Sequence, residues 1–277
     1  MSHLHRRPQH PDALGIVHQV TPQNAGWQYV GFEVRQLDSG ISQQVDAGAD
    51  TELCLVILSG LVQLKSSNQD FGVVGARMSV FEDAAPFALY VPAGERIELL
   101  TETACELAFC RAPSAAAKPN GSHLSPLPVR LIGPSDCSRE TRGLGTNTRF
   151  VCNILFGNAA ADRLLITEVI TPPGHWSSYP PHKHDSDALP LESALEETYY
   201  HKLNPSQGFA FQRVYTDDRR LDETISVEHN SLVLVPEGYH PVGAPHGYQL
   251  YYLNVMAGPT RQWVFKNDPA HEWMLQK

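Results

Sequence analysis

The sequence predicts an all-β protein of two tandem β-sandwich or barrel domains, and three observations carry that prediction. From Trp27 onward the apolar runs are short, alternating or β-branched, and are separated by Gly, Pro, Asp or Asn. With 21 Pro and 20 Gly in 277 residues, turns are frequent and long helices are disfavoured. The two halves also repeat: VPAGER, residues 91–96, matches VPEGYH, residues 235–240.

Residues 1–25 read as a lead-in, with His3, His5 and His10 scattered among Arg and Pro in a frayed terminus. Residues 26–112 form the first domain. Its strand-like runs are WQYVGFEVRQL, ISQQVDAG, TELCLVILSGLVQLK, FGVVGARMSVFE, PFALYVPAGERIELLTET and CELAFCRAP. Residues 113–126, PSAAAKPNGSHLSP, are small, polar and Pro-rich, as an exposed linker would be. Residues 127–277 form the second domain, where RFVCNILFG, RLLITEVITPPG, LEETYYHKL, FAFQRVY and VLVPEGYHPV repeat runs of the first. In this alignment Glu52 falls opposite Glu197 and Arg96 opposite His240, and nothing in the first half matches His182 and His184. Chemistry is therefore assigned to the second domain, with Glu52 and Arg96 expected to pair at a vestigial site in the first. The aromatic tail, with Trp263, Phe265 and Trp273, is expected to pack back over a domain or across a subunit contact.

A formal net charge of −9 argues against nucleic acid or an anionic membrane as partner, and leaves room for a small anionic substrate held by a local cation. The N-terminus lacks an apolar h-region and no apolar run approaches spanning length, so the protein is read as cytoplasmic. Five Cys with no CxxC pair fit reduced, mostly buried thiols.

The most informative stretch is PPHKHDSDALPLESALEETYY, residues 180–200. Side chains alternate faces along a strand, so His182 and His184 project the same way and Lys183 the other. Glu197 opens the next apolar run and His240 closes a Val/Leu-rich one. Three imidazoles and a carboxylate make an N3O set for a divalent transition metal, with coordination positions left open as catalysis requires. Glu192 and Glu196 are nearby alternatives to Glu197. Glu196 would face the opposite way, and Glu192 is placed in the loop.

HxH, a later Glu and a His after a P-x-G turn resemble the ligand pattern of the cupin barrels, here with the insertion DSDALPLESALE. A narrower resemblance is carried by PPHKHD, LEETYYHKLNPSQGFAFQRVYT, VPEGYHPV, YYLNVMAGPTRQW and NDPAHEW. These blocks are similar to those of the 5-deoxy-glucuronate isomerases of myo-inositol catabolism, bicupin relatives of the pectin-pathway 5-keto 4-deoxyuronate isomerases. The resemblance implies two jelly-roll domains, metal ligands His182, His184, Glu197 and His240, and a divalent metal: zinc first, with manganese or iron as alternatives. It also implies an aldose–ketose isomerisation of 5-deoxy-D-glucuronate to 2-deoxy-5-keto-D-gluconate.

For such a reaction the strand parity of Glu197 brings Tyr199 and His201 inward, and with His175 they are the candidates for proton transfer. Gln212 and Arg213 face opposite ways, so only one of them lines the site. Arg213 would suit the substrate carboxylate, and Lys183 could reach it from the barrel mouth. Three rival readings are weighed. They are the pectin-pathway isomerase, a metal-dependent dioxygenase that consumes oxygen, and a sugar-binding β-domain without turnover. A homo-oligomer is compatible with the aromatic tail.

Overall fold

A computed structural model describes residues 2–114 and 127–275. The linker expected at residues 113–126 therefore lies, from residue 115 on, outside the described residues. Apart from a four-residue helix at Pro22–Ala25 and two 3-10 turns, the regular structure is β-strand, as the short alternating runs predict. Among the described residues no helix is long and apolar enough to cross a membrane, and all five cysteines are free.

The chain divides into two compact units that exchange segments: one is Gln9–Ser138 with Asn153–Ile166, the other Met1–Pro8, Arg139–Cys152 and Thr167–Lys277. The serial boundaries drawn from the sequence are corrected accordingly. Residues 127–138 and 153–166 belong with the N-terminal unit, and the first eight with the C-terminal one.

In the N-terminal unit one sheet has the strand order Arg130–Ile132, Ala88–Val91, Thr51–Ser59, Cys105–Pro113, Gly31–Leu37, Ile16–Val20. A second has the order Ser42–Asp46, Arg96–Thr101, Val62–Ser66, Asp70–Val74. Leu53, Leu55, Ile57, Leu89, Val91, Ile97, Leu99 and Phe109 share the core of this unit. The strand Arg96–Thr101 shows why: its odd residues are buried and its even ones face water or are half-buried.

The C-terminal unit is carried by a sheet ordered His5–Arg6, Leu232–Val235, Glu196–Asn204, Gln249–Ala257, Leu165–Thr171, Arg149–Leu155, Ser138–Arg142. Its second sheet is ordered Trp176–Ser177, Val242–Gly243, Phe209–Tyr215, Asp222–Glu228. The N-terminus is not frayed at this edge. His5 and Arg6 pair with Val233 and Leu232, and Leu4 is 1% exposed within the core formed with Val233, Leu203 and Val227.

Strand register corrects the alignment of the two halves. Val235 pairs with Glu197, whereas Val91, its counterpart in the VPxG motif, pairs with Leu53. Leu53, not Glu52, is therefore the counterpart of Glu197, and a one-residue slip exchanges every face. Leu53, Leu55 and Ile57 stand where the second unit has Glu197, Tyr199 and His201. The expected pair of Glu52 and Arg96 does not form, because Arg96 binds Asp46 at 2.5 Å on the surface. Glu52 is buried on the other face, accepting the backbone N–H groups of Asp162, Arg163 and Leu164 at 2.7 Å and the Tyr90 hydroxyl at 2.8 Å. Burial pushes its carboxyl up, against the pull of those four donors.

Candidate metal centre

The ligand candidates come from three segments: His182 and His184 from one short strand and the residue after it, Glu197 from the nine-residue strand Glu196–Asn204, and His240 from the turn after Leu232–Val235. His182 and Lys183 form a strand that pairs with Lys266–Asn267 of the C-terminal tail. The tail is held there by Asp268, whose N–H donates to Pro181 O at 2.9 Å and whose carboxylate accepts from the Tyr215 hydroxyl at 2.8 Å. Lys183 points away from the histidines and is buried against Glu192 at 3.0 Å, with Asp185 at 3.4 Å and Asp217 at 3.7 Å. Glu192 also accepts the Asp185 N–H at 2.7 Å, so its carboxylate is committed to this cluster. Of the three neighbouring glutamates, Glu197 is the one that faces His184 and His240.

The Nε2 atoms of His184 and of His240 both lie 3.1 Å from Oε2 of Glu197, and one ligand atom from each residue falls within 4.8 Å of the others. On the far side of each ring, Nδ1 sits 3.0 Å from Leu195 O in His184 and 2.8 Å from Gly238 O in His240. A carbonyl only accepts, so Nδ1 carries a proton in both rings, and Nε2 is the atom turned toward Glu197, a lone-pair donor once the ring is neutral. Two ring nitrogens and a carboxylate oxygen thus meet, and among the described residues the buried His240 Nε2 has no hydrogen-bond partner. The chemistry of such a donor set fits a divalent metal. His182 lies alongside, its ring centroid 5.0 Å from that of His240 and 6.5 Å from that of His184. Burial lowers the proton affinity of all three rings. In His184 the hydrogen bond and charge of Glu197 outweigh burial and raise it, while His182 and His240 remain below the ordinary range.

The turn that presents His240 requires glycine. Gly238 has φ +91°, and a Cβ there would approach Tyr215 O to 2.5 Å. Its N–H donates to Asp185 Oδ1 at 2.8 Å, which ties the turn to the residue after His184.

A family model described as KduI/IolB matches residues 3–274. The chain belongs to the KduI/IolB family. It is 51% identical over 270 residues to a 5-deoxy-glucuronate isomerase of Geobacillus kaustophilus, covering 97% of this chain and 94% of the relative. It is 47% identical over 281 residues to the 5-deoxy-glucuronate isomerase of Bacillus subtilis strain 168, covering both chains fully. Among solved structures, an IolB-like protein of Salmonella typhimurium LT2 superposes with a TM-score of 0.92 at 44% identity, over 99% of this chain and all of that one. A Bacillus subtilis oxalate decarboxylase shares the fold, with a TM-score of 0.66 at 12% identity over 100% of this chain and 82% of that one. The jelly-roll bicupin architecture expected from the motifs is thus the architecture of this KduI/IolB chain.

The remaining predicted residues of this family member divide into those near the histidines and those elsewhere. Tyr199 is buried with its ring centroid 5.7 Å from His240, and its hydroxyl bonds Ser178 Oγ at 2.9 Å. His201 stacks on Tyr199 at 5.8 Å, and its Nε2 meets Gln212 Oε1 at 2.9 Å. Gln212 also donates to His240 O at 3.4 Å, so it is the inward member of its pair. Arg213 is not at the site: it lies on the outer face, held by Asp222 through two bonds of 2.7 Å. His175 gives its Nδ1 to Thr148 O at 3.0 Å. Trp263 and Phe265 pack near His182, with centroids 6.1 and 4.8 Å away, whereas Trp273 is exposed.

Tyr252 and Arg149 are absent from the sequence-based site. Tyr252 pairs across strands with His201 and its hydroxyl meets Ser177 Oγ at 2.5 Å. Alternation in YYLNV would have placed it on the inner face once its partner strand was known. Arg149 opens the strand Arg149–Leu155, and its charge reaches His182, Tyr199 and Tyr252. No spacing rule links it to the HxH segment, because the approach is made through backbone carbonyls.

Proposed function

We propose that this chain is a 5-deoxy-glucuronate isomerase, an intramolecular oxidoreductase of myo-inositol degradation that converts 5-deoxy-D-glucuronate to 2-deoxy-5-keto-D-gluconate. The observation that carries this reading is identity of about half the residues, over nearly the whole length, to curated isomerases of that name. The donor set of His184, Glu197 and His240 is in keeping with it, and we assign His182 as the fourth ligand. Zinc is the proposed metal, on the borderline character of a three-imidazole, one-carboxylate set, with manganese or iron as the alternatives. When bound, the metal supplies Lewis-acid polarisation to a neighbouring carbonyl and hydroxyl.

In the reaction the hydrogen on C2 and the proton on O2 leave, and C1 and O1 each gain one, so that aldehyde and alcohol exchange places. Tyr199 stays protonated, because burial pushes its hydroxyl well above the ordinary range. It therefore serves as a donor to a substrate oxygen, oriented by Ser178. His201 is a neutral imidazole, with burial pushing it down to about 4. Its bond to Gln212, and that of Gln212 to His240 O, make it a positioning residue for the layer above. His175 likewise steadies Thr148, beside Arg149. Trp263 and Phe265 pack against the His182 ring and shield one side of it. The enzyme works in the cytoplasm on this reading.

The test is to supply 5-deoxy-D-glucuronate and follow loss of the aldehyde proton by NMR, with and without chelator and in deuterated water. The expected result is ketose formation that chelator abolishes and metal restores. Solvent deuterium on the new CH2OH carbon, C1 of the substrate, indicates an enediol route, and retention of the substrate's C2 hydrogen there fits either direct transfer or a base shielded from solvent. Failure of the metal-replete protein to turn over, better turnover of 5-keto 4-deoxyuronate, or a requirement for oxygen would each overturn the assignment.

A further inference from the structure

We propose that Arg149 holds the carboxylate of the substrate, through the Nε and Nη2 edge of its guanidinium. The inference rests on the sugar-acid reading above and moves to Arg149 the role that strand parity denies to Arg213.

Three observations converge on it. The first is an unneutralised cation. Nη1 of Arg149 donates to Asn147 O at 3.0 Å, Asn147 Oδ1 at 3.1 Å and Tyr179 O at 3.2 Å, all of them neutral acceptors. Nε and Nη2 make no hydrogen bond to the described residues. By contrast Arg35, Arg96, Arg213 and Arg220 each bind a carboxylate. Glu140, whose field reaches Arg149, is already paired with Arg142 at 2.5 Å. Burial, moreover, pushes the Arg149 guanidinium down from its ordinary range, so its charge is poorly solvated.

The second observation is geometric. Nη1 alone is used for anchoring, which leaves Nε and Nη2, the two N–H groups that point in parallel from one edge of the plane. That edge matches the two oxygens of a carboxylate.

The third is placement. The segment Ser177–His182 binds four groups in succession: Ser177 holds the Tyr252 hydroxyl, Ser178 the Tyr199 hydroxyl, Tyr179 O takes Arg149, and Pro180 O takes the His182 side chain. Asn147 reinforces the arrangement by donating to the same Tyr179 O at 2.8 Å. Ser178 has φ +51°, a left-handed conformation that residues other than glycine seldom adopt. One strained segment thus fixes the guanidinium relative to His182 and to both tyrosine hydroxyls. A sugar acid with its aldehyde end at the histidines would meet Arg149 with its other end.

The experiment compares 5-deoxy-D-glucuronate with its uncharged methyl ester in wild type, R149K and R149M, by steady-state kinetics and calorimetric binding, with melting temperature and metal content as controls. A charge-assisted bidentate pair leads us to expect about a 10- to 100-fold loss of kcat/KM on the acid in R149M, mainly through KM, with ester turnover within about 3-fold of wild type. R149K, which keeps the charge and loses the fork, should fall in between and serves alone if R149M does not fold. An equal loss on acid and ester would make Arg149 a mere brace for residues 147–149 and overturn the proposal. So would unchanged preference in either variant. If wild type binds the acid over the ester without isomerising it, the isomerase assignment alone fails, and loss of that preference in R149M still upholds the role of Arg149.

Discussion

The histidines of the centre are set by what lies behind them. In His184 and His240 the Nδ1 proton is committed to a backbone carbonyl, which leaves Nε2 in both as the atom turned toward Glu197 and open to a metal. His201 is held from the opposite nitrogen, since its Nε2 bonds Gln212 and, among the described residues, its buried Nδ1 has no hydrogen-bond partner. Burial pushes His201 down to about 4 from an unfolded value near 6.5. The unfolded chain therefore binds this proton first as pH falls, and stability declines between about 6.5 and 4 and levels off below. The depression corresponds to roughly 3 kcal/mol at full protonation. In urea titrations of the metal-free protein at pH 7 and pH 4.5, His201→Gln should lose less stability on acidification than wild type. Equal losses would show that His201 does not contribute.

At the scale of elements, the site is made of short strands and one turn, each locked to a neighbour. Lys183, on the reverse of the HxH strand, is buried with Glu192, which lies on a strand and not in a loop, and that pair holds the hairpin of Asp185–Ala188 and Glu192–Ala194 between His184 and Glu197. Removing one partner of a buried pair leaves an uncompensated charge, so Glu192→Ala should cost about 3 kcal/mol in chemical denaturation. Asp185 remains near Lys183 and keeps the cost toward the low end of the usual range. The turn before His240 tolerates no side chain at Gly238. Gly238→Ala should cost about 1–3 kcal/mol and lower metal occupancy, measured by elemental analysis, because its Cβ would collide with Tyr215 O. Normal occupancy and stability in that variant would show that the turn has another conformation open to it.

On the scale of the whole molecule, each unit has its own core, and among the described residues only the C-terminal one combines that core with a donor set. In the N-terminal unit Leu53, Leu55 and Ile57 occupy the strand positions of Glu197, Tyr199 and His201, turning a site into apolar packing. Among the described residues a single His and carboxylate group is placed to hold a metal, so the purified protein should bind one metal per chain. Two per chain would refute this. The C-terminal unit in turn depends on the start of the chain, because Leu4 fills its core and His5 meets Ser231 at 3.0 Å. Leu4→Ala should cost about 2–5 kcal/mol, read from the denaturation midpoint. A loss under 0.5 kcal/mol would mean that the strand at the N-terminus packs only loosely.

The sequence by itself determined the properties that depend on near neighbours along the chain. Alternating short runs made strands, the spacing of His182 and His184 put both on one side with Lys183 on the other, and the residue types specified a nitrogen-rich donor set. Parity reached as far as stating that Gln212 and Arg213 diverge, but not which of them turns inward. Questions of that kind were decided only by tertiary structure, since a period of two residues leaves register free and a slip of one position exchanges inside for outside. Register made Leu53, not Glu52, the counterpart of Glu197, placed Gln212 within and Arg213 without, and drew the first residues and the aromatic tail onto the C-terminal unit. Arg149 is tied to the segment that carries His182 through the carbonyl of Tyr179, a backbone atom that every residue type carries, and so left no mark in the sequence.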